Sequence, residues 1–131
     1  MTEINVTLKF ERAFKGELVA KNITVPIGSE AGTLAPYDMM LGALGSCYYS
    51  NFRGITEKMR LEYERVDISV RGVKREEIPT LLKEVEMVVT VYGAKEQKGF
   101  ARAAELAGKY CSVHETIAQV AEIRTELRFA E

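Results

Sequence analysis

Near the start of the chain every second residue is apolar: Ile4, Val6, Leu8 and Phe10 alternate with Asn5, Thr7 and Lys9. A period of two puts alternate side chains on one face, so the pattern predicts a strand with that face on a core. Residues 11–16 make a polar turn ending in Gly16, and 17–25 return as a second strand with Val19, Ile23 and Val25 in phase. Together they read as a hairpin. Residues 26–35 mix proline, glycine and serine without a period and read as a loop. The period then lengthens. Met40, Leu44, Cys47, Tyr48, Phe52, Ile55 and Met59 recur three or four residues apart, which predicts a helix over 36–60, and Leu41 widens the stripe until most faces of that helix read as buried. Pro36 suits a first helical position and Asp38 complements the helix dipole.

Alternation resumes at Val66, Ile68 and Val70, predicting a strand to Lys74, and again at Val85, Met87, Val89 and Val91. The connector 75–82 turns at Pro79, and Gly93 closes the second strand. Phe100, Ala103, Ala104, Ala107 and Tyr110 predict a helix over 95–109. Ser112 and Glu115 stand in the S-x-x-E spacing of a capping box, which predicts a short helix over 113–121 directly after Cys111. A last strand runs through Ile123, Thr125, Leu127 and Phe129. The expected order is ββαββααβ, a single α+β domain over residues 1–131.

Composition narrows the possibilities. The uncharged run Met39–Phe52 is shorter than the roughly 20 residues that span a bilayer and is followed by Arg53, Glu57, Lys58 and Arg60. No transmembrane helix is expected. The net charge of −1 comes from 18 basic and 19 acidic residues, interspersed, so no basic stripe suggests nucleic acid as a partner. The N-terminus lacks an export signal, and a cytoplasmic location with reduced thiols is the expectation. Nucleotide-binding and serine-hydrolase glycine motifs are missing. Neither metal nor cofactor is expected, because one histidine and two distant cysteines do not close a ligand set.

The cysteines hold the candidate chemistry. Cys47, on the helical stripe, reads either as a nucleophile or as a small core hydrophobe. Cys111, just ahead of a helix N-terminus, is expected to have a lowered pKa, and His114 is either a base near it or a solvent-facing residue.

Taken together these residues resemble the OsmC/Ohr family. Pro36–Cys47, PYDMMLGALGSC, looks like the family's proline, apolar helix and small-residue turn before its reactive cysteine, and KYCSVHETI looks like the motif around its second cysteine. The resemblance implies an OsmC-like fold, an intertwined homodimer with sites at the interface, and reduction of organic hydroperoxides in oxidative-stress defence. Cys47 would attack, Cys111 would resolve the sulfenic acid, Arg12 would support the thiolate, and a dithiol would regenerate the pair. Tyr37, Asp38, Met40, Tyr48, Arg53 and His114 are the candidate binding residues. The chain departs from the peroxidase branches at Tyr37, where they carry a glutamate, and at Ser112, where a proline is usual, which suggests an OsmC-like branch. A buried helical cysteine needs a nearby cation to ionise, and Arg53 is the second candidate after Arg12. A dimer is expected independently, since a chain this small has little surface with which to enclose an apolar helix. The alternative is a non-enzymatic protein that binds an apolar ligand or senses oxidation.

Overall fold

The computed structural model describes all residues from Met1 to Glu131. The elements run β1 (Thr7–Phe10), β2 (Lys15–Val19), β3 (Thr24–Gly28), α1 (Pro36–Lys58), β4 (Arg65–Lys74), β5 (Leu82–Tyr92), α2 (Phe100–Lys109), α3 (Ser112–Ala118) and β6 (Glu122–Ala130). The class is α+β as expected, with one more strand: the order is βββαββααβ. The predicted second strand divides because the chain reverses at residues 20–23, closed by Ala20 N–H donating to the Ile23 carbonyl. Its second half extends through Pro26 to Gly28, residues that read as loop.

The chain forms two compact units, Met1–Met40 and Leu41–Glu131. In the first, β1, β2 and β3 make an antiparallel sheet. Gly16 is required where β1 and β2 pair, since a Cβ there would meet the Lys9 carbonyl oxygen at 2.1 Å. The alternating residues of the first strand are not on a core. The strand starts only at Thr7, so Ile4 and Val6 precede it, and Ile4, Val6, Leu8 and Phe10 are 85, 51, 47 and 43 % exposed, uncovered in the single chain.

In the second unit, β4 pairs antiparallel with β5, and β5 pairs parallel with β6. A parallel pair needs a long crossover, and α2 and α3 supply it. Register brings Val66, Ile68 and Val70 of β4 beside Val91, Val89 and Met87 of β5, and these beside Phe129, Leu127 and Thr125 of β6. Directly paired residues share a face, so one apolar face results. The opposite face carries exposed ion pairs such as Arg71–Glu86 and Arg128–Glu126.

Helix α1 lies over the apolar face, with Val70 and Ile68 against Gly45. Its buried residues are Leu44, Tyr48, Phe52 and Thr56, a single stripe four residues apart. The expectation of burial on most faces is therefore corrected. Met40 and Met59 are 41 and 37 % exposed, and Gly42 and Gly54 have open space around them, with no second backbone close by. Phe52 stacks on Phe100 of α2, which meets Phe129 of β6 edge-on. Helix α2 begins at Phe100, later than the predicted 95, because Gly99 caps it with φ 95°, a conformation that ends regular structure. Tyr110 falls off the predicted stripe and is 65 % exposed. No helix is long and apolar enough to cross a membrane.

Candidate active site

Two elements bring the cysteines together. Cys47 sits midway along α1 and is partly exposed, whereas Cys111 is fully buried between α2 and α3. Each thiol shifts the pKa of the other. Cys111 is the N-cap of α3, and its sulfur accepts the backbone N–H of His114 at 3.4 Å. The predicted capping box is not formed. The sulfur takes the cap in place of the Ser112 hydroxyl, and Glu115 turns to the His114 ring, 2.9 Å away, rather than back to the helix start.

The expected ordering of the two thiols reverses. The hydrogen bond from Cys111 holds the Cys47 pKa below the ordinary cysteine value, against an opposing effect of burial, and the N–H of Val113 and the hydroxyl and N–H of Ser112 add to the lowering. Burial pushes the Cys111 thiol up despite the His114 N–H, and donation to a charged Cys47 pushes it further. Helix-start donors thus favour the thiolate, but the α3 start serves Cys47 from across the fold as well as its own cap. Of the two, Cys47 is the thiol that ionises first.

Of the other candidates, Tyr48 and His114 interact with Cys111. Tyr48 is fully buried and donates its hydroxyl to the Ala104 carbonyl of α2 at 2.8 Å. Burial, followed by the charge of Cys111, raises its pKa far above the ordinary tyrosine value. The His114 imidazole, on Glu115, packs over Gly108, where any Cβ would come within 3.3 Å of Nε2. It reaches the cysteines only through its backbone. Arg53 is exposed and acts electrostatically on Tyr49, whose hydroxyl lies 3.1 Å from that of Tyr63. Tyr37, half-buried, and Asp38 and Met40, exposed, lie in the first turns of α1. Arg12 lies exposed in the bend between β1 and β2, in the unit that does not hold the cysteines.

Three residues around the thiols were not singled out as donors by sequence reasoning. Ser112 and Val113 were hidden because the fold, not the spacing, sets them beside Cys47. Asn51 was legible, since it follows Cys47 by one turn of α1. Its amide Nδ2 donates to the Cys47 carbonyl at 3.1 Å and stands 4.0 Å from the Cys47 sulfur.

This architecture, with one thiol on a long central helix and a second opening a late helix, defines a class. Residues 28–126 match the family described as OsmC-like protein, and the chain belongs to that family. A hypothetical protein from Aquifex aeolicus VF5 shares 27 % identity over 100 % of both chains, with a TM-score of 0.85. An OsmC-like protein from Mycoplasma pneumoniae superposes with a TM-score of 0.88 at 11 % identity over 99 % of each chain. An organic hydroperoxide resistance protein from Elizabethkingia anophelis gives 0.79 at 12 % identity, covering 99 % of this chain and 98 % of its own. Among curated proteins, none matches by sequence.

Proposed function

We propose that this chain reduces organic hydroperoxides in peroxide defence, with Cys47 attacking and Cys111 resolving. The observation that carries this reading is the pair of free, mutually interacting thiols, in which the more exposed Cys47 is the one whose pKa is lowered. The nucleophile is the thiolate, and here it is the thiol with the freer approach. The Cys47 thiolate attacks the terminal oxygen of ROOH. An S–O bond forms, the O–O bond breaks, and the electron pair leaves on RO⁻, which takes a proton from water. Cys47 becomes a sulfenic acid. Cys111 then gives up its proton and attacks that sulfur, expelling water and closing the disulfide. A dithiol returns both cysteines to thiols by exchange and is itself oxidised. The organic hydroperoxide resistance proteins among the structural neighbours support the substrate class, as do the apolar residues Met39 and Met40 on α1. The reading places the reaction in the cytoplasm, where dithiols are available.

Mass spectrometry after stoichiometric hydroperoxide tests it. The expected product is one Cys47–Cys111 disulfide, reversed by dithiothreitol. Cys47→Ser abolishes consumption, and Cys111→Ser stops at sulfenic acid and proceeds to sulfinic acid with excess oxidant. Two free thiols under conditions that oxidise exposed methionines would sink the reading. Arg12→Ala and Arg53→Ala ask which guanidinium supports the thiolate: the one that does so slows oxidation of Cys47.

We also propose a homodimer, on the strength of the uncovered apolar face at Ile4, Val6, Leu8 and Phe10.

A further inference from the structure

The bond from Asn51 to the Cys47 carbonyl fixes which end of the amide faces the cysteine, since a carbonyl oxygen only accepts. The amino group therefore points at the sulfur. At 4.0 Å it is too far to be a strong donor to the thiolate itself. The charge on that sulfur is already served by Cys111, Val113 and Ser112. An oxygen joined to the sulfur on the Asn51 side stands nearer, within the roughly 2.7–3.2 Å of an ordinary N–H···O bond. We propose that Asn51 is a catalytic residue whose Nδ2–H donates to the oxygen passing from a hydroperoxide to the Cys47 sulfur.

This rests on the reading of Cys47 as the attacking thiolate and adds a role to it. As the S–O bond forms and the O–O bond breaks, the transferred oxygen moves toward the amino group, so the hydrogen bond is strongest while the reaction is under way. An interaction stronger in the transition state than in the ground state raises the rate rather than only tightening binding. The donor is held in place beforehand by the Cys47 carbonyl, so little reorganisation is needed at the moment of reaction. The same bond then holds the sulfenic oxygen on the Asn51 side, leaving the sulfur open to Cys111.

Two reactions of Cys47 separate this role from support of the thiolate. Cumene hydroperoxide transfers oxygen, and iodoacetamide reports thiolate nucleophilicity alone. In the full chain Asn51→Ala is expected to slow oxidation about 100-fold, the lower range for loss of one oxyanion-hole donor. Alkylation should stay within a factor of about two, since the thiolate fraction is unchanged. Asn51→Leu keeps similar bulk but presents neither donor nor charge, and should slow oxidation like the alanine variant while leaving alkylation within the same factor; it carries the test if circular dichroism shows Asn51→Ala unfolded. Equal slowing of both reactions overturns the proposal, because Asn51 would then act only through the thiolate, and so does an unchanged oxidation rate. A wild type that alkylates normally but resists cumene hydroperoxide overturns the peroxidase reading and this inference with it. A wild type that oxidises normally beside an unaffected Asn51→Ala overturns the inference alone.

Discussion

Replacing Cys111 by alanine removes the strongest donor to the Cys47 sulfur. The pH midpoint of Cys47 alkylation, expected in the wild type below the roughly 8.5 of a free cysteine, should rise in Cys111→Ala. It should rise less in Cys111→Ser, whose hydroxyl still donates. Iodoacetamide rates measured from pH 5 to 10 would check both, and identical midpoints would remove Cys111 as the cause. Tyr48 makes a different prediction. Tyr48→Phe deletes its bond to the Ala104 carbonyl and should cost about 0.5–1.5 kcal/mol in chemical denaturation. The pKa of Tyr48 is raised in the folded state, so its contribution is present below the unfolded value of about 10 and is lost as pH rises beyond it. Cys111 has the same sign from about pH 8.5 upward, and Cys47, shifted down, has the opposite sign. The two thiols therefore act in opposite directions, and Tyr48 adds a loss of stability above about pH 10. Denaturation midpoints of reduced wild type and Tyr48→Phe should converge there.

Among the elements, α2 shows how one backbone conformation sets a boundary. Gly99 holds φ at 95° with Leu61 Cδ2 at 3.1 Å from where a Cβ would stand. Gly99→Ala should destabilise by about 1–2 kcal/mol from the left-handed backbone alone, read as a lower thermal midpoint, with cysteine reactivity unchanged. Strand β5 behaves differently from a surface strand. Val85, Met87, Val89 and Val91 are all at most 1 % exposed, and their partners on both sides share the face that α1 covers. Helix α3 is too short to be stable by itself, and its start is fixed by the Cys111 cap and by the residues that meet Cys47.

At the scale of the molecule, the apolar side of the first strand decides the expectation. Side chains such as Val6 and Leu8 are about half exposed in the single chain, and large exposed apolar patches mark interaction sites. The wild type should sediment as a dimer at micromolar concentration. Leu8→Glu, which puts a charge on that face, should weaken the dimer and shift sedimentation toward monomer. A wild type that is monomeric at that concentration would leave the exposed face unexplained. The ion pairs on the outer face of the second sheet contribute little by comparison, being exposed on both partners.

The sequence by itself determined most elements, because period is a local property: the long helix at Pro36, the alternation along β4, β5 and β6, and the stop at Gly93 are all written in neighbouring residues. It also carried both cysteines and, through motif resemblance, the family. It could not set the extra break at residues 20–23, where a hydrogen-bonded reversal interrupts an apolar run, nor whether an apolar stripe would be covered. Period alone makes the stripe on α1 look nearly all buried and the alternating first strand look like core, since hydrophobicity records what is able to be buried and not what arrives to bury it. The pairing of β5 with β6 was likewise left to the crossover of α2 and α3. The order of the two thiols lay wholly with the tertiary structure: a pKa depends on the donors and burial around a sulfur, and those around Cys47 come from Cys111, Ser112 and Val113, remote in sequence and adjacent only in the fold.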